Sequence, residues 1–277
     1  MGRLLHTVDE LLALPLLARD SVLPDGVARA AVFDADHCLW ASDIGDAAFA
    51  AAADAGLIDV DTWRGPVQAW ATSWDLHLDD DPARGIAQVM TAAASGALSA
   101  TALGRGLSAS SWKADLYAMQ AWVYAGRTPM QIEAHGEHLF VAGFADHIYG
   151  DMRRVVQGLG ELGIDVWIAS ASHRALVLPG ARRLGIDPAR VIGMEPALND
   201  DGLTAPRLHR STYGPGKARA AIEALGRRPL VAFGDSILST DKELLAAAHL
   251  GVAVATSGDN RAAALDDDHL VLLDPRH

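Results

Sequence analysis

The apolar run Ala30-Ala31-Val32-Phe33 stops abruptly at Asp34-Ala35-Asp36. Four apolar residues bounded this way read as a buried strand, with both acids projecting from its carboxyl end. In open α/β sheets that end faces the ligand crevice. Two carboxylates so close repel unless a cation lies between them, and a divalent metal with oxygen ligands meets that need. The alternative is a solvated turn, where Asp is common. Two later apolar runs narrow the choice by ending the same way: 165–169 stops at Ser170, and 229–233 stops at Gly234-Asp235.

The segments between these runs set the architecture. Thr7-Val8-Asp9-Glu10 reads as a capping box opening a short helix through Leu14, which Pro15 disturbs. Pro24-Asp25-Gly26 is a turn ahead of the first strand. From 44 to 142 the strand-like runs vanish. Trp63, Val67, Trp70 and Trp74 are spaced i, i+4, i+7 and i+11, as one stripe of one helix, and Trp112, Leu116, Met119 and Val123 repeat the spacing. Thr128-Pro129-Met130-Gln131 is a helix start. After Gly150 the rhythm is α/β again: helices over 152–162, 175–184, 217–225 and 242–248 alternate with strands over 165–169, 190–194, 229–233, 251–255 and 269–273. Asn199-Asp200-Asp201-Gly202 is a hairpin-type turn. The pattern predicts an α/β fold with a Rossmann-like, doubly wound, mostly parallel sheet. Residues 1–40 and 149–277 form the core, and 41–148 are an inserted α-helical domain with its own small core.

Bulk composition excludes several classes. Half of the 277 residues are hydrophobic, which excludes disorder. The net charge of −12 argues against nucleic acid or an anionic membrane as partner, though not against a small anionic substrate in a locally neutralised cleft. A single cysteine, Cys38, permits no intrachain disulfide and fits a reducing compartment. The first twenty residues carry charges throughout and lack the apolar core of a signal peptide, and no stretch has the apolar length of a membrane span. The expectation is a soluble, cytoplasmic protein, with monomer and homodimer both open.

Three strands thus end in reactive polar residues, Asp34/Asp36, Ser170 and Asp235, and in a parallel sheet those ends share one rim. Tyr213-Gly214-Pro215-Gly216-Lys217 adds an ammonium at a helix start, where a cation is electrostatically misplaced unless it serves something outside its own helix. The order Asp34-x-Asp36, Ser170, Lys217, Gly234-Asp235-Ser236 and Asp241 resembles the four motifs of the haloacid dehalogenase-like (HAD) superfamily. The resemblance is to its phosphoserine phosphatase-like branch, with a helical cap after the first motif, and runs from Ala31 to about Pro275.

That resemblance implies a phosphatase using Mg²⁺ on a small phosphorylated metabolite. Phosphate monoesters need up to ~10²¹-fold acceleration, so charge neutralisation, positioning and covalent catalysis must combine. Asp34 would attack phosphorus and form an aspartyl-phosphate. Asp36 would protonate the leaving oxygen and then take a proton from water. The metal ligands implied are Asp34 and Asp235, with the backbone carbonyl of Asp36. Ser170 and Lys217 would bind the phosphoryl group. Ser236 and Asp241 would support the site, with Asp241 orienting either Lys217 or a metal-bound water. Asp43 stands where the family carries an acid that meets a substrate amine; the other reading is an N-cap.

Two departures from the family pattern stand out. His37-Cys38 replaces the usual small residue and Thr; His is among the residues that tolerate positive φ and so could hold the turn. Asp241 lies six residues after Asp235, with Ser239 at the commoner spacing of four. The His37-Cys38 departure keeps open a non-catalytic phosphate-ligand binding protein, and a hydrolytic dehalogenase is the other alternative, disfavoured by the presence of Asp36. Other signals are decoys. Gly158-Leu159-Gly160-Glu161-Leu162-Gly163 matches a dinucleotide fingerprint but precedes a strand instead of following one. His135, His138 and His147 could suit zinc, against a solvated face. The Trp stripes read as core of the helical insert, with Trp40 or an insert Trp lining the pocket as the alternative.

Overall fold

The computed structural model describes residues 3–254 and 257–274. Eight strands form one sheet in the order β1-β8-β7-β6-β2-β3-β4-β5. They are β1 Arg3–Leu5, β2 Val27–Phe33, β3 Asp165–His173, β4 Val191–Leu198, β5 Thr204–Arg210, β6 Arg228–Gly234, β7 Leu250–Val254 and β8 Leu270–Leu273. All neighbours are parallel except β4 and β5, the hairpin closed at Asn199–Gly202. The predicted strand end at Ala255, like Pro275, lies outside the described residues. Among the described residues no single helix is long and apolar enough to cross a membrane.

Chain order reverses at β2, which lies between β3 and the much later β6. Such a switch point opens a crevice at the strands' carboxyl ends. Register levels those ends: Phe33 pairs with Ile168 on one side and Phe233 on the other. The Phe33 and Phe233 rings stack in parallel with centroids 4.0 Å apart, a floor worth about 1 kcal/mol beyond its burial. The Asp34 N–H donates to the Phe233 carbonyl at 2.8 Å, so β2 is tied to β6 just where the acids begin.

Several expectations are corrected. β3 does not end at Ser170; it runs on to His173 with a bulge, where four residues of β3 span two of β4. Gly193 admits this bulge, because a Cβ there would lie 2.7 Å from the Arg174 Cα. Thr7 caps its helix by accepting from the Glu10 N–H, but Glu10 accepts from the His6 N–H instead of closing a reciprocal box on Thr7. Gly158 serves packing: a Cβ there would meet Leu12 at 2.4 Å.

Between β2 and β3 the chain is helical apart from turns. The Trp63–Trp74 stripe is one continuous helical stretch with a π turn over Trp63–Val67, where Pro66 lacks an N–H to donate. Trp63 and Val67 are fully buried. The chain leaves and rejoins the sheet at adjacent points. The Ala41 N–H donates to the His147 carbonyl at 2.9 Å, and the Tyr149 N–H donates to the Leu39 carbonyl at 3.1 Å. The helix Pro129–Val141 packs on the helix Arg174–Arg183 so closely that a Cβ on Gly136 would lie 3.1 Å from the Leu176 Cα.

Candidate active site

The rim formed by β6, β2 and β3 collects nearly every polar residue singled out in the sequence. Asp34 follows β2 directly and is 4% exposed. Its Oδ1 accepts from Lys217 Nζ at 2.8 Å, and the same ammonium donates to Asp241 Oδ1 at 2.5 Å. Lys217 sits in the first turn of the helix Pro215–Leu225, behind Gly214 at φ 52°, and is fully buried. The misplaced cation of the sequence therefore serves two carboxylates outside its own helix. Asp241 Oδ2 accepts from the backbone N–H groups of Asp235 and Ser236 at 3.1 and 3.0 Å. Both Asp241 oxygens are thereby engaged, one on Lys217 and the other on the backbone after β6.

Electrostatics at this rim are strained. Burial raises the Asp34 carboxyl well above its ordinary range, with Asp241 adding to the rise and Lys217 opposing it. Burial and Asp241 raise Asp235 to about 6. Burial alone would lower the Lys217 ammonium, but Asp241 and Asp34 more than offset it and leave Lys217 raised. Oxygens of Asp34, Asp235 and Asp241 lie within 4.8 Å of one another. Both oxygens of Asp241 already accept hydrogen bonds, and a cation among the three carboxylates would offset the charge that they gather. An oxygen-only donor set with excess negative charge fits a hard divalent ion.

Asp36 is held from four sides. Its Oδ1 accepts from the Trp40 indole N–H at 2.7 Å and from the Ile44 N–H at 2.8 Å. Its Oδ2 accepts from Ser172 Oγ at 2.6 Å, with Ser170 Oγ at the outer limit of 3.5 Å. Ser170 is fully buried and does not line the cavity, whereas Ser172 does. Ser172 escapes sequence reading although strand periodicity gives a signal: it lies two residues after Ser170, on the same strand face.

His37 does hold its turn, at φ 59°, and borders the cavity. Cys38 is buried, and burial pushes its thiol well up, away from reactivity. Asp43 is the N-cap that one reading of the sequence gave it, accepting from the Asp46 N–H at 2.8 Å at the start of the helix Ile44–Ala51, and it also borders the cavity. Burial, then Asp36 and Asp46, raise its carboxyl well above the usual range. Tyr117, from the helix Ser111–Trp122, covers the acids and stacks on Tyr213 with centroids 5.8 Å apart. The space left beside the acids is about 40 Å³. Trp40 is fully buried behind Asp36, and Trp112 lines a separate neighbouring cavity of about 270 Å³. The histidines do not gather: His135 is buried with Nε2 at 3.0 Å from the Ala48 carbonyl, and His138 and His147 are exposed.

No family model matches the chain. The phosphoserine phosphatase SerB1 of Mycobacterium tuberculosis is 31% identical over 145 residues, which are 50% of this chain and 45% of that protein. The chain thus spans about half the length of the curated relative it matches. Among solved structures, a protein of unknown function from Bordetella pertussis Tohama I superposes with a TM-score of 0.63 at 19% identity, covering 89% of this chain and 99% of that one. A phospho-aspartyl intermediate analogue of phosphoserine phosphatase superposes at 0.50 with 12% identity, covering 90% and 95%. A HAD family hydrolase from Salmonella enterica serovar Typhi gives 0.50 at 13% identity, covering 89% and 68%. Sheet order and these superpositions agree that the chain shares the α/β fold of these structures, a phosphoserine phosphatase and a HAD family hydrolase among them.

Proposed function

We propose that the protein is a divalent-cation-dependent phosphomonoesterase that acts on a small organic phosphate through an aspartyl-phosphate on Asp34. The observation that carries this reading is the buried Asp34–Lys217–Asp241 chain set beside Asp36 and Asp235. Lys217 orients the Asp34 carboxylate for in-line attack, and the new P–O bond forms as the ester oxygen departs. Asp36, with Oδ1 anchored by Trp40 and Ile44, gives that oxygen a proton from Oδ2. Asp36 then takes a proton from the water that cleaves the aspartyl-phosphate, and inorganic phosphate leaves. Ser172, and Ser170 behind it, set the position of Oδ2, and Ser172, which lines the cavity, supplies a hydroxyl near the phosphoryl group. A cation such as Mg²⁺, held by Asp34 and Asp235 and, as the family resemblance implies, by the Asp36 backbone carbonyl, would supply Lewis-acid charge for the phosphoryl oxygen.

Residues 41–148 act as the cap over this site, hinged where 39–41 bond to 147–149. With about 40 Å³ beside the acids, the cap opens to admit substrate and excludes large partners when closed. Asp43 is placed to meet a substrate amine. His37 holds the turn at φ 59°, which supports an ordered loop after Asp36. The test is hydrolysis of an aryl phosphate with and without Mg²⁺, beside Asp34→Asn and Asp36→Asn. Release that needs Mg²⁺ and falls by about 10³-fold or more in both variants is expected. Wild-type-like release by Asp34→Asn would remove Asp34 as nucleophile.

A further inference from the structure

The space beside the acids, about 40 Å³, is too small for a phosphate group together with its alcohol, since small-molecule sites begin at about 300 Å³. The alcohol needs room elsewhere. A cavity of about 270 Å³ lies alongside, and Tyr117 borders both. Its other walls come from three helices between β2 and β3: Asp46 from Ile44–Ala51, Met90 from Pro82–Ala94, and Trp112, Lys113 and Leu116 from Ser111–Trp122. Asp43 lines the smaller space and Asp46 the larger, three residues apart, with the Asp46 N–H bonded to Asp43 Oδ1. The two cavities thus share the Tyr117 ring on one side and the first turn of one helix on the other.

Most of the larger wall is apolar. The Trp112 indole N–H is taken up by Ser99 Oγ at 3.0 Å, which leaves the ring for packing. Asp46 is the fixed polar group: Gln120 Nε2 donates to its Oδ1 at 2.8 Å, and no Lys or Arg pairs with it among the described residues. Burial raises its carboxyl, Gln120 opposes the rise and Asp36 adds to it, so Asp46 stands within the field of the acid assigned to the leaving oxygen. Lys113 is the movable group. Its ammonium rests 5.9 Å from the Trp112 ring centroid, on a flexible four-carbon stem. A half-buried carboxylate without a counter-ion favours a cationic donor, and the wall around it favours methylene groups.

We propose that this cavity receives the leaving group of the substrate, an alcohol whose apolar body ends in an amine bound by Asp46. The body lies along Met90, Trp112 and Leu116, and the cavities join where the Tyr117 ring turns aside. A long ω-amino alcohol is thereby preferred to a short one, whose amine reaches only Asp43. The proposal rests on the phosphatase reading for the ester bond and adds to it the size and charge of the leaving group.

The test compares kcat/KM for methyl, 2-aminoethyl, hexyl and 6-aminohexyl phosphate, all esters of primary alkanols or methanol, on wild type, Asp46→Asn and Ala93→Leu. Ala93 borders the cavity from the helix Pro82–Ala94, is half-buried, and Leu there fills space while suiting a helix. Hexyl phosphate is expected to exceed methyl phosphate about tenfold or more, and 6-aminohexyl phosphate to exceed both hexyl and 2-aminoethyl phosphate. Ala93→Leu should lower the hexyl-to-methyl ratio about tenfold, and Asp46→Asn should remove the advantage of 6-aminohexyl over hexyl. Circular dichroism checks that both variants fold, and ratios within one variant cancel any general loss of activity. Calorimetry of the same esters on Asp34→Asn reads the cavity without turnover. Tighter binding of 6-aminohexyl than of methyl phosphate, with no ester hydrolysed by the wild type, would overturn the phosphatase reading and leave the cavity assignment standing. Hydrolysis that favours 2-aminoethyl or methyl phosphate, ratios indifferent to both substitutions, or no preference in either assay would each overturn the cavity assignment.

Discussion

Lys217 Nζ lies 2.5 Å from Asp241 Oδ1, and the other oxygen of Asp241 holds the backbone of Asp235 and Ser236. One buried carboxylate thus fixes both the ammonium and the loop that follows β6. Removing the ammonium strands two buried negative charges. Lys217→Met is expected to cost about 3–5 kcal/mol in chemical denaturation. Asp241→Asn should cost much less on that background than in the wild type, giving a coupling of about 2 kcal/mol or more in a double-mutant cycle. Additive costs would mean that the two residues do not act as a pair.

Trp40 offers a way to disturb Asp36 without touching it. The indole N–H donates to Asp36, while the ring packs edge-on against Phe140 and Phe144. Trp40→Phe keeps an aromatic ring there and removes the donor. The phosphatase turnover proposed for the protein is expected to fall about tenfold, with a stability change of roughly 1–3 kcal/mol from the lost bond and the smaller ring. Unchanged kcat in the folded variant would show that the Asp36 anchor is dispensable.

Gly45 lies close to the hydroxyl that meets the other oxygen of Asp36. A Cβ there would sit 2.9 Å from Ser172 Oγ and 3.1 Å from Asp43 Oδ1. Because a serine hydroxyl can rotate away, Gly45→Ala is expected to keep its fold and change stability by about 1 kcal/mol or less, in line with the helix preference for Ala. Its kcat should drop several-fold as Ser172 turns from Asp36. A large loss of stability with kcat intact would show instead that the backbone moves.

His173 makes stability depend on pH with a definite sign. Its pKa is lowered to about 4 in the fold from an ordinary 6.5. Between those values the unfolded chain binds the proton that the folded chain refuses. The stabilisation is therefore fully present above about pH 6.5 and is lost as pH falls towards 4, amounting to about 2 kcal/mol between pH 7 and 5. His173→Asn retains an oxygen to cap the Ala175 N–H and cannot titrate. Denaturation at pH 7 and pH 5 should show a shallower acid loss in this variant by about that amount, and identical slopes would remove His173 as the cause.

The site is legible in the sequence where local chemistry is out of place, and illegible where tertiary packing decides. Asp34, Asp36 and Asp235 end apolar runs, and Lys217 is a cation at the wrong end of a helix, so each announces itself. Tyr117 does not: it lies off the Trp112, Leu116, Met119 and Val123 stripe, and only the docking of that helix over the sheet brings it to the acids. Ser172 is hidden by the bulge that carries β3 past Ser170. In the fold, β1 and β5 are missed for related reasons. Arg3–Leu5 is too short to show a period and is defined by its pairing with β8. Thr204–Arg210 carries Pro206 and four polar residues on an edge, where half the backbone goes unpaired. The helix Gly258–Asp266, in contrast, buries only Ala264 deeply and so leaves no apolar stripe to read.

The switch point at β2 also sets a timetable for synthesis. β2 needs β6 beside it, and Asp34 needs Lys217 and Asp241, yet about two hundred residues separate these partners along the chain. At ribosomal speeds of about 5–20 residues per second, the first acid waits on the order of tens of seconds for its counter-ion. Through that interval the nascent chain offers an apolar strand with one flank unpaired, while the helices of 44–141, rich in local contacts, are able to fold. The helical segment therefore precedes the carboxylate cluster in time, and chaperone dependence should be concentrated on chains halted between β3 and β6.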